Sequence, residues 1–238
     1  MTDRVKTRVD LEALRRNELL GQLEPDEMDE FLGLASILTY PADRVIFQKA
    51  DPGDRLFAII SGRVGITTES ESGKSILLNM LKAGDVLGEI ALLDGKPRTA
   101  NAVAMDESEL LCVERSDFLN FLECHPRLAI RLMGVLCDRL RWTSDIIEDT
   151  MFLDIPHRLA KRLMVLSDQY GRETDDGLLI DLKLSQESLG QMLGATRESI
   201  NKGLKLLEHK GMIGSAGGYI HVTNMIALRD FGGRDQVD

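Results

Sequence analysis

The sequence predicts an α+β protein of two domains joined by a long helix. Between about Leu38 and Val113, short β-rich runs alternate with Gly and Asp turn signals, a pattern typical of an antiparallel jelly roll. From Pro126 to Thr150, apolar residues recur at helical spacing. Beyond them, two short helical patterns meet at a glycine and are flanked by β-runs. We therefore expect a β-roll with flanking helices over residues 1–125, a dimerisation helix and a hinge over 126–153, and a winged helix-turn-helix over 154–238.

The composition is typical of a globular protein with a packed core. Of the 238 residues, 43% are hydrophobic. No apolar run reaches the roughly 18 residues that a bilayer span needs, and the charged N-terminal stretch lacks the apolar segment of a secretory signal. We therefore expect a cytoplasmic protein with no membrane partner. Cys112, Cys124 and Cys137 lack metal-ligand spacing, which predicts reduced thiols and no metal site.

The acidic surplus is concentrated in the N-terminal part of the chain. The net charge is −10, yet residues 154–238 carry eleven Lys and Arg against twelve Asp and Glu. Nearly all of the surplus therefore lies in residues 1–153, which indicates two domains with different partners. The charge of the whole chain is consequently a poor guide to nucleic-acid binding by its second half.

Six short runs predict the strands of the β-roll. Turn signals such as "ADPGD", "ESGK", "KAGD" and "LDGKP" separate them. Strands of this length and spacing, with Gly and Asp in the turns, favour an antiparallel arrangement. The runs are "RVIF", "RLFAII", "RVGITT", "SILLNML", "TANAVA" and "SELLCVE".

The long helix carries a seam that resembles one face of a coiled coil. Its members are three or four residues apart, so they lie on one side of the helix. This seam must be buried, either against the chain's own β-roll or against a second copy of the helix in a homodimer, and we favour the homodimer. The predicted seam consists of Leu132, Leu136, Leu140, Thr143, Ile147 and Thr150.

The C-terminal part contains a helix-turn-helix pattern. Ser185 is a good N-cap for a first helix, Gly194 suits the break, and Thr196 caps a second helix. The β-runs "LLIDLKL" and "GYIHVTN" flank the pair and complete a winged helix-turn-helix. The other interpretation is an ordinary helix pair with solvated charges. The polar face that would meet DNA carries Arg197, Glu198, Asn201, Lys202 and Lys205.

The stretch "GEIALLDGKPRTA", residues 88–100, reads as a loop with unusual chemistry. Arg98 and Thr99 offer a cation and a hydroxyl to a phosphate, and Gly88 and Ala91 allow close approach of the backbone. Glu89 would repel a phosphate and suits a sugar hydroxyl instead. One phosphate and one ribose indicate a mononucleotide. The alternative is a surface loop held by salt bridges.

These residues carry a resemblance to a known family. "GEIALLDGKPRTA" resembles the phosphate-binding cassette of cyclic-nucleotide-binding domains. From about Leu19 to Thr223 the chain is similar to the catabolite activator / fumarate–nitrate regulator (CRP/FNR) family of bacterial transcription factors, in its cyclic-nucleotide-responsive branch. The resemblance includes the glycine turns of the β-roll, the long helix, "FLD" at the family's hinge and "RES" at the start of the recognition helix.

The resemblance implies an effector site for 3′,5′-cyclic AMP, cyclic GMP or both. Glu89 would bind the ribose 2′-hydroxyl, and Arg98 and Thr99 the cyclic phosphate, together with backbone amides near Gly88, Ile90 and Ala91. The segment "RLRWTSD" matches the long helix of cyclic-AMP-responsive members. It implies Arg139 as a further site residue, with Thr143 and the partner subunit's Ser144 on the purine. Thr and Ser also accommodate guanine, so cyclic GMP stays open.

The resemblance also implies a dimer that binds palindromic operator DNA, with RNA polymerase as a further partner. Arg197, Glu198 and Lys202 match base-reading positions, although the family's cyclic-AMP activator commonly has Arg at the last of them. Lys205 is better placed for a phosphate. The hinge would comprise Phe152, Leu153 and Asp154. The full DNA-binding prediction is Ser185, Gln186, Thr196, Arg197, Glu198, Asn201, Lys202 and Lys205.

Two alternatives stay open, one from another functional class and one with the same fold. A nucleotide-acting enzyme would need metal ligands or a nucleophile–base pair beside the phosphate, and the cassette contains neither. A regulator of the same fold could respond to another ligand or act without one. Residues 1–30 contain no cysteine for an iron–sulfur sensor, and the four histidines are scattered. We therefore predict a ligand-dependent regulator that is not an enzyme.

Overall fold

The fold is taken from a computed structural model, which describes residues 14–15, 19–69, 75–174 and 177–233. The chain divides into two compact units, Met1–Leu140 and Arg141–Asp238. Within the described ranges, no helix combines the length and apolarity that crossing a membrane requires. The domain boundaries that we predict after residues 125 and 153 stay predictions.

Two four-stranded antiparallel sheets form the body of the N-terminal unit. One has the order β1-β8-β3-β6 and the other β2-β7-β4-β5. All six predicted runs form strands, and the structure adds the short β6 and a β1 that begins at Ser36. The strands are β1 (Ser36–Tyr40), β2 (Val45–Phe47), β3 (Arg55–Ser61), β4 (Arg63–Glu69), β5 (Ser75–Lys82), β6 (Val86–Leu87), β7 (Asn101–Ala104) and β8 (Ser108–Glu114).

Helices α1 (Pro25–Leu34), α2 (Glu89–Asp94) and α3 (Arg115–Cys124) accompany these strands. Strand β3 is buried on both faces because it lies between two hydrophobic clusters. Leu56 and Ile60 pack in the cluster that contains helical residues such as Phe118. Phe57 and Ile59 point the other way, into the interior of the roll. The continuous apolar run "LFAII" therefore reflects burial on both sides.

The long helix is present and extends two residues beyond the apolar pattern that ends at Thr150. Helix α4 (Pro126–Phe152) has 27 residues and is about 40 Å long at 1.5 Å per residue. Its first turns belong to the core of the N-terminal unit, since Leu128 and Leu132 are each 3% exposed. Leu136 is half-buried.

The predicted seam is therefore wrong at its N-terminal end. Leu132 belongs to the core of the roll, so the alternative of packing on the chain's own barrel holds there. A different stripe is exposed, and it has strict alternating spacings of three and four residues. It consists of Ile130, Met133, Cys137, Leu140, Ser144, Ile147 and Met151. We call these seven residues the outer stripe.

Beyond the end of α4, the described residues of the C-terminal unit form four helices and one antiparallel sheet. The sheet has the order β11-β12-β10-β9. Helix α7 packs on α5, and α6 packs on both of them. The elements are α5 (Ile155–Tyr170), β9 (Gly171–Thr174), β10 (Gly177–Ile180), α6 (Gln186–Leu193), α7 (Arg197–His209), β11 (Ile213–Ala216), β12 (Tyr219–Val222) and α8 (Met225–Gly232).

The sheet of this unit differs from the sequence-based prediction in three places. Residues 171–174, for which the sequence analysis predicts no strand, form β9 and pair with β10. The predicted strand "LLIDLKL" ends at Ile180, because Leu182 and Leu184 leave the sheet and become buried before α6. Strand β11 is also new, and it forms the wing with β12 across a turn at Gly217 and Gly218, both with positive φ.

Candidate functional site

The cassette segment is not the simple loop that the sequence suggests. Its residues 89–94 form helix α2, and Gly88 is the N-cap in the left-handed region, with φ of 87°. A Cβ atom at this position would lie 2.5 Å from Nη1 of Arg98. Glycine is therefore required at position 88, both for its backbone conformation and for the approach of the arginine.

The Arg98 side chain is buried, and its described hydrogen bonds are to backbone carbonyls and not to a carboxylate. Only 4% of the residue is exposed. Its Nη1 donates to the Gly88 carbonyl at 2.8 Å and its Nη2 to the Arg55 carbonyl at 2.7 Å. The guanidinium lies over the Phe47 ring, 4.3 Å from the centroid. Its Nε has no hydrogen-bond partner among the described residues.

Burial lowers the pKa of Arg98, because a charge in a poorly solvated place is disfavoured. Asp54, Glu89 and Asp51 attract the cation and oppose this effect. Arginine nevertheless stays protonated in proteins. The described ion pairs do not include this side chain, so a cation with spare donor capacity is held among carbonyl groups. An anion is the species that would stabilise it most.

Backbone contacts fix the position from which Arg98 projects. Its N–H donates to the Asp51 carbonyl and its carbonyl accepts from the Ala50 N–H, both at 2.9 Å. Next to this pairing, a Cβ atom on Gly53 would come within 2.2 Å of the Ala91 Cβ. The turn before β3 is therefore packed directly against the first turn of α2, and both contribute to one small site.

Glu89 is the second buried charge at this site, with 1% exposed. One of its carboxylate oxygens accepts a hydrogen bond from Nη1 of Arg139, on α4. Arg139 also donates from Nη2 to the Val86 carbonyl at 2.6 Å. The other oxygen, Oε2, is buried and has no hydrogen-bond partner within the described residues. A hydroxyl donor would satisfy this oxygen and leave the ion pair intact.

The structure brings only part of the predicted effector site together. Gly88, Glu89, Ala91, Arg98 and Arg139 meet around the start of α2. The side chains of Ile90 and Thr99 are exposed on the surface of the unit. Thr143 and Ser144 are exposed on α4 beyond Leu140 and belong to the C-terminal unit. A role for them at the base stays a prediction.

Sequence reasoning missed Phe47 and Gly53. The first lies under the Arg98 guanidinium, and the second makes room for Ala91. Gly53 stands in the "ADPGD" signal, which indicated only a turn. No local pattern connects residue 47 with residue 98, because β2 approaches the cassette through the fold alone. The resulting pocket can hold a small anion that also carries a hydroxyl group.

The second candidate site is the helix pair α6–α7, where the predicted caps are present. The Ser185 hydroxyl accepts from the Ser188 N–H at 2.9 Å, and the Thr196 hydroxyl from the Ser199 N–H at 3.2 Å. Gly194 ends α6 in the left-handed conformation, with φ of 61°. These contacts fix both helix starts and the break between them.

Helix α7 buries one face and exposes the predicted polar face. Gly203 is on the buried face, where a Cβ atom would lie 3.0 Å from Leu159 Cδ2 of α5. The packed face consists of Ile200, Gly203, Leu204 and Leu207. Opposite this face, four charged side chains are exposed, and Asn201 is half-buried beside them. The four are Arg197, Glu198, Lys202 and Lys205.

Side-chain contacts connect the polar face to the start of α6. Nε of Arg197 donates to Oε1 of Gln186 at 3.4 Å. Nε2 of Gln186 donates to Oδ1 of Asn201 at 3.3 Å. Lys202 and Glu198 form an ion pair of 2.8 Å with both side chains about three-quarters exposed, 75% and 77%. Such a solvated pair adds little stability and is readily exchanged for other partners.

The predicted hinge residues lie at the junction of α4 and α5. Phe152 is 66% exposed and Leu153 is 7% exposed. The carboxylate of Asp154 caps α5 by accepting from the His157 N–H at 3.1 Å. The His157 ring stacks on Phe231, with 4.2 Å between centroids. These contacts fix the start of α5. The role of Phe152, Leu153 and Asp154 as a hinge stays a prediction.

Comparison with known proteins assigns the two segments that contain these sites to known domain families. A cyclic nucleotide-binding domain model matches residues 37–125, and a Crp-like helix-turn-helix domain model matches residues 157–231. The CRP-like cAMP-activated global transcriptional regulator of Mycobacterium tuberculosis is 32% identical over 202 residues, which cover 85% of this chain and 90% of that protein. The cAMP-activated global transcriptional regulator CRP of Salmonella typhimurium is 30% identical, with coverage of 84% and 95%.

A solved structure shares the fold. The c-di-GMP-responsive global regulator CLP of Xanthomonas campestris superposes with a TM-score of 0.74 at 23% identity, covering 84% of this chain and 99% of that one. The predicted fold class, a β-roll followed by a helix-turn-helix domain, is thus confirmed. The relatives are transcription regulators, so the expectation that the protein is not an enzyme is confirmed as well. The chain belongs to the CRP/FNR family of DNA-binding transcription regulators.

Proposed function

We propose that the protein is a homodimer that binds palindromic operator DNA when its β-roll holds cyclic AMP, cyclic GMP or both. The observation that carries this proposal is the pair of buried charges beside Gly88. Among the described residues, Arg98 is a buried cation whose Nε has no hydrogen-bond partner, and the buried Oε2 of Glu89 has none either. A cyclic mononucleotide supplies one phosphate for the first and one ribose hydroxyl for the second.

Each part of the nucleotide has a proposed partner. Arg98 and the Thr99 hydroxyl take the cyclic phosphate, and amides of the first turn of α2, near Ile90 and Ala91, have no partner within their own helix. Glu89 takes the ribose 2′-hydroxyl. Thr143 of one protomer and Ser144 of its partner contact the purine. Relatives named as cAMP-activated favour cyclic AMP, while both hydroxyls also suit guanine.

The outer stripe supports the homodimer. Its seven positions follow the 3.5-residue period of a two-stranded coiled coil. Six of the seven side chains are apolar or cysteine, and five of these are more than half exposed, among them Met133, Leu140 and Met151. An exposed stripe of this length on one helix indicates a partner surface. A second copy of α4 offers the complementary surface through a two-fold axis.

The proposed switch acts through α4. Arg139 joins this helix to Glu89, so a ligand that fixes the Glu89 carboxylate also restrains the helix. The helix continues to Phe152, and re-orientation at Phe152–Asp154 would align the two recognition helices with successive major grooves, about 34 Å apart. The ligand can shift this equilibrium only by its differential affinity for the two states. RNA polymerase would be the further partner at promoters.

Operator binding with and without effector tests the proposal. An operator is first obtained by selection from random DNA, and its affinity is then measured by mobility shift with cyclic AMP, cyclic GMP or neither. We expect a palindrome and a gain in affinity within the range of about 5–150-fold that is usual for coupled sites. Linear 5′-AMP is the matched control. Equal affinity in all arms would indicate a regulator that acts without a cyclic nucleotide.

Cys137 offers a direct test of the dimer. It is an exposed member of the outer stripe, and in a parallel pair of helices it faces its own copy within the reach of a disulfide. Mild oxidation should therefore give a covalent dimer on a non-reducing gel. Cys137→Ser should abolish this dimer, and Cys124→Ser, which removes another exposed thiol, should not. A dimer band that survives in Cys137→Ser would contradict the parallel arrangement.

A further inference from the structure

Gln186 contacts two residues of the recognition helix with the two ends of one side-chain amide. Its carbonyl oxygen accepts from Nε of Arg197, and its amide nitrogen donates to Oδ1 of Asn201. The two partners are four residues apart on α7, so they lie on the same face of that helix. The Gln186 side chain is half-buried between them and solvent.

The polarity of this network is set by the arginine. A guanidinium can only donate hydrogen bonds, so the Gln186 atom that faces Nε must be the oxygen. The NH2 group of the same amide must then face Asn201, and Asn201 must present its own oxygen. Exchanging either amide's two ends would bring donor against donor. The orientation of all three side chains is therefore determined by their mutual contacts.

This arrangement leaves the end of the arginine available. Nε is the nitrogen nearest the chain, and its bond to Gln186 limits rotation of the guanidinium plane. The two terminal nitrogens lie at the far end of the exposed Arg197 side chain, and none of the described hydrogen bonds uses them. A fork of two parallel N–H donors is what bidentate recognition of guanine O6 and N7 requires. A guanidinium that is already oriented also loses less rotational freedom on binding.

We propose that Gln186 is a positioning residue that sets the guanine preference of Arg197, rather than a residue that reads DNA by its own contact. This inference rests on the proposed function, because it assumes that α7 reads base edges. It predicts that Gln186 affects selectivity at one base pair. A contact from Gln186 to a phosphate would instead change the affinity for every sequence alike.

The test compares three single variants on a set of operators. Each operator carries one of the four base pairs at the position where Arg197→Ala relaxes selectivity. Gln186→Met removes the amide at similar length, and it should reduce the preference for guanine about ten-fold, which is the value of one hydrogen bond to a charged group. A change in affinity that is equal for all four operators leaves this ratio unaffected. Gln186→Glu keeps an acceptor for Nε and should retain the preference. Gln191→Ala, a glutamine on the same helix whose side-chain amide makes none of the described hydrogen bonds, should match the unsubstituted protein.

The double variant Gln186→Met/Arg197→Ala separates a positioning role from a direct one. If Gln186 acts through Arg197, the glutamine substitution makes no further difference to selectivity once the arginine is absent. A further loss in the double variant, or full guanine preference in Gln186→Met, would overturn the inference alone. Unchanged selectivity in Arg197→Ala would overturn the proposed reading of DNA and the inference with it.

Discussion

Replacing Arg98 by alanine should lower cyclic-nucleotide affinity by about 100-fold or more. The substitution removes the buried cation and its charge-assisted hydrogen bonds to the phosphate, each worth about 1.5–3 kcal/mol. Arg98→Lys should have an intermediate effect, because lysine keeps the charge but cannot present two parallel donors. Isothermal titration calorimetry of the three proteins with cyclic AMP and cyclic GMP measures the effect.

Arg55→Ala is the matched control for this experiment. Arg55 stands beside the site, yet its guanidinium pairs with Glu114 at 3.0 Å on the surface, and only its backbone carbonyl contacts Arg98. Removing that side chain deletes a nearby positive charge and leaves the carbonyl in place. Affinity close to that of the unsubstituted protein is expected. Equal binding by Arg98→Ala and the unsubstituted protein would rule out the phosphate role, and thermal unfolding checks that each variant is folded.

Replacing Arg197 by alanine should abolish the base preference at its position in the operator. The expected cost is about 1–3 kcal/mol for the cognate site, with nearly unchanged affinity for random DNA. Site selection followed by binding assays on single-base variants measures the loss. If the variant selects the same palindrome as the unsubstituted protein, the assignment of α7 as the recognition helix is wrong.

Lys205→Ala provides the contrasting result for the same helix. Lys205 is exposed two turns along α7 from Arg197 and is placed for a phosphate in our proposal. Its removal should weaken binding to all sequences by a similar factor and reduce the slope of log affinity against log salt by about one. A sequence-selective loss in this variant would instead indicate that Lys205 reads a base.

The elements that the sequence predicts well are those with a local signal. The six strand runs have apolar β-formers bounded by Gly and Asp turns, and all six are strands in the structure. Strand β9 was missed because "GRET" contains no apolar residue. The segment is a strand because it pairs with β10. Strand β11, "IGSA", is similarly unremarkable in sequence and is stabilised by β12. Both segments are strands because they pair with a neighbouring strand, and their local β-propensity does not predict them.

The long helix illustrates a different limit. Apolar residues occupy two stripes of similar period along α4, and the sequence does not distinguish which one faces the chain's own roll. Because Leu132 is buried and Ile130 is exposed, the stripe that contains Leu132 is the one that faces the roll. The chemistry of the cassette, by contrast, could be predicted from its residue types. The contact between Glu89 and Arg139 spans fifty residues, so only the resemblance pointed to it.

The contact between Gly53 and Ala91 has a consequence for how this protein can vary. A Cβ atom at position 53 would clash with the Ala91 Cβ at 2.2 Å, and also with the Ala91 backbone carbon at 2.9 Å. Shortening residue 91 to glycine would relieve only the first of these overlaps. The second is between the added Cβ and the main chain of α2, so no substitution at position 91 relieves it. Position 53 of this chain is therefore constrained to glycine by the path of the backbone, independently of any ligand.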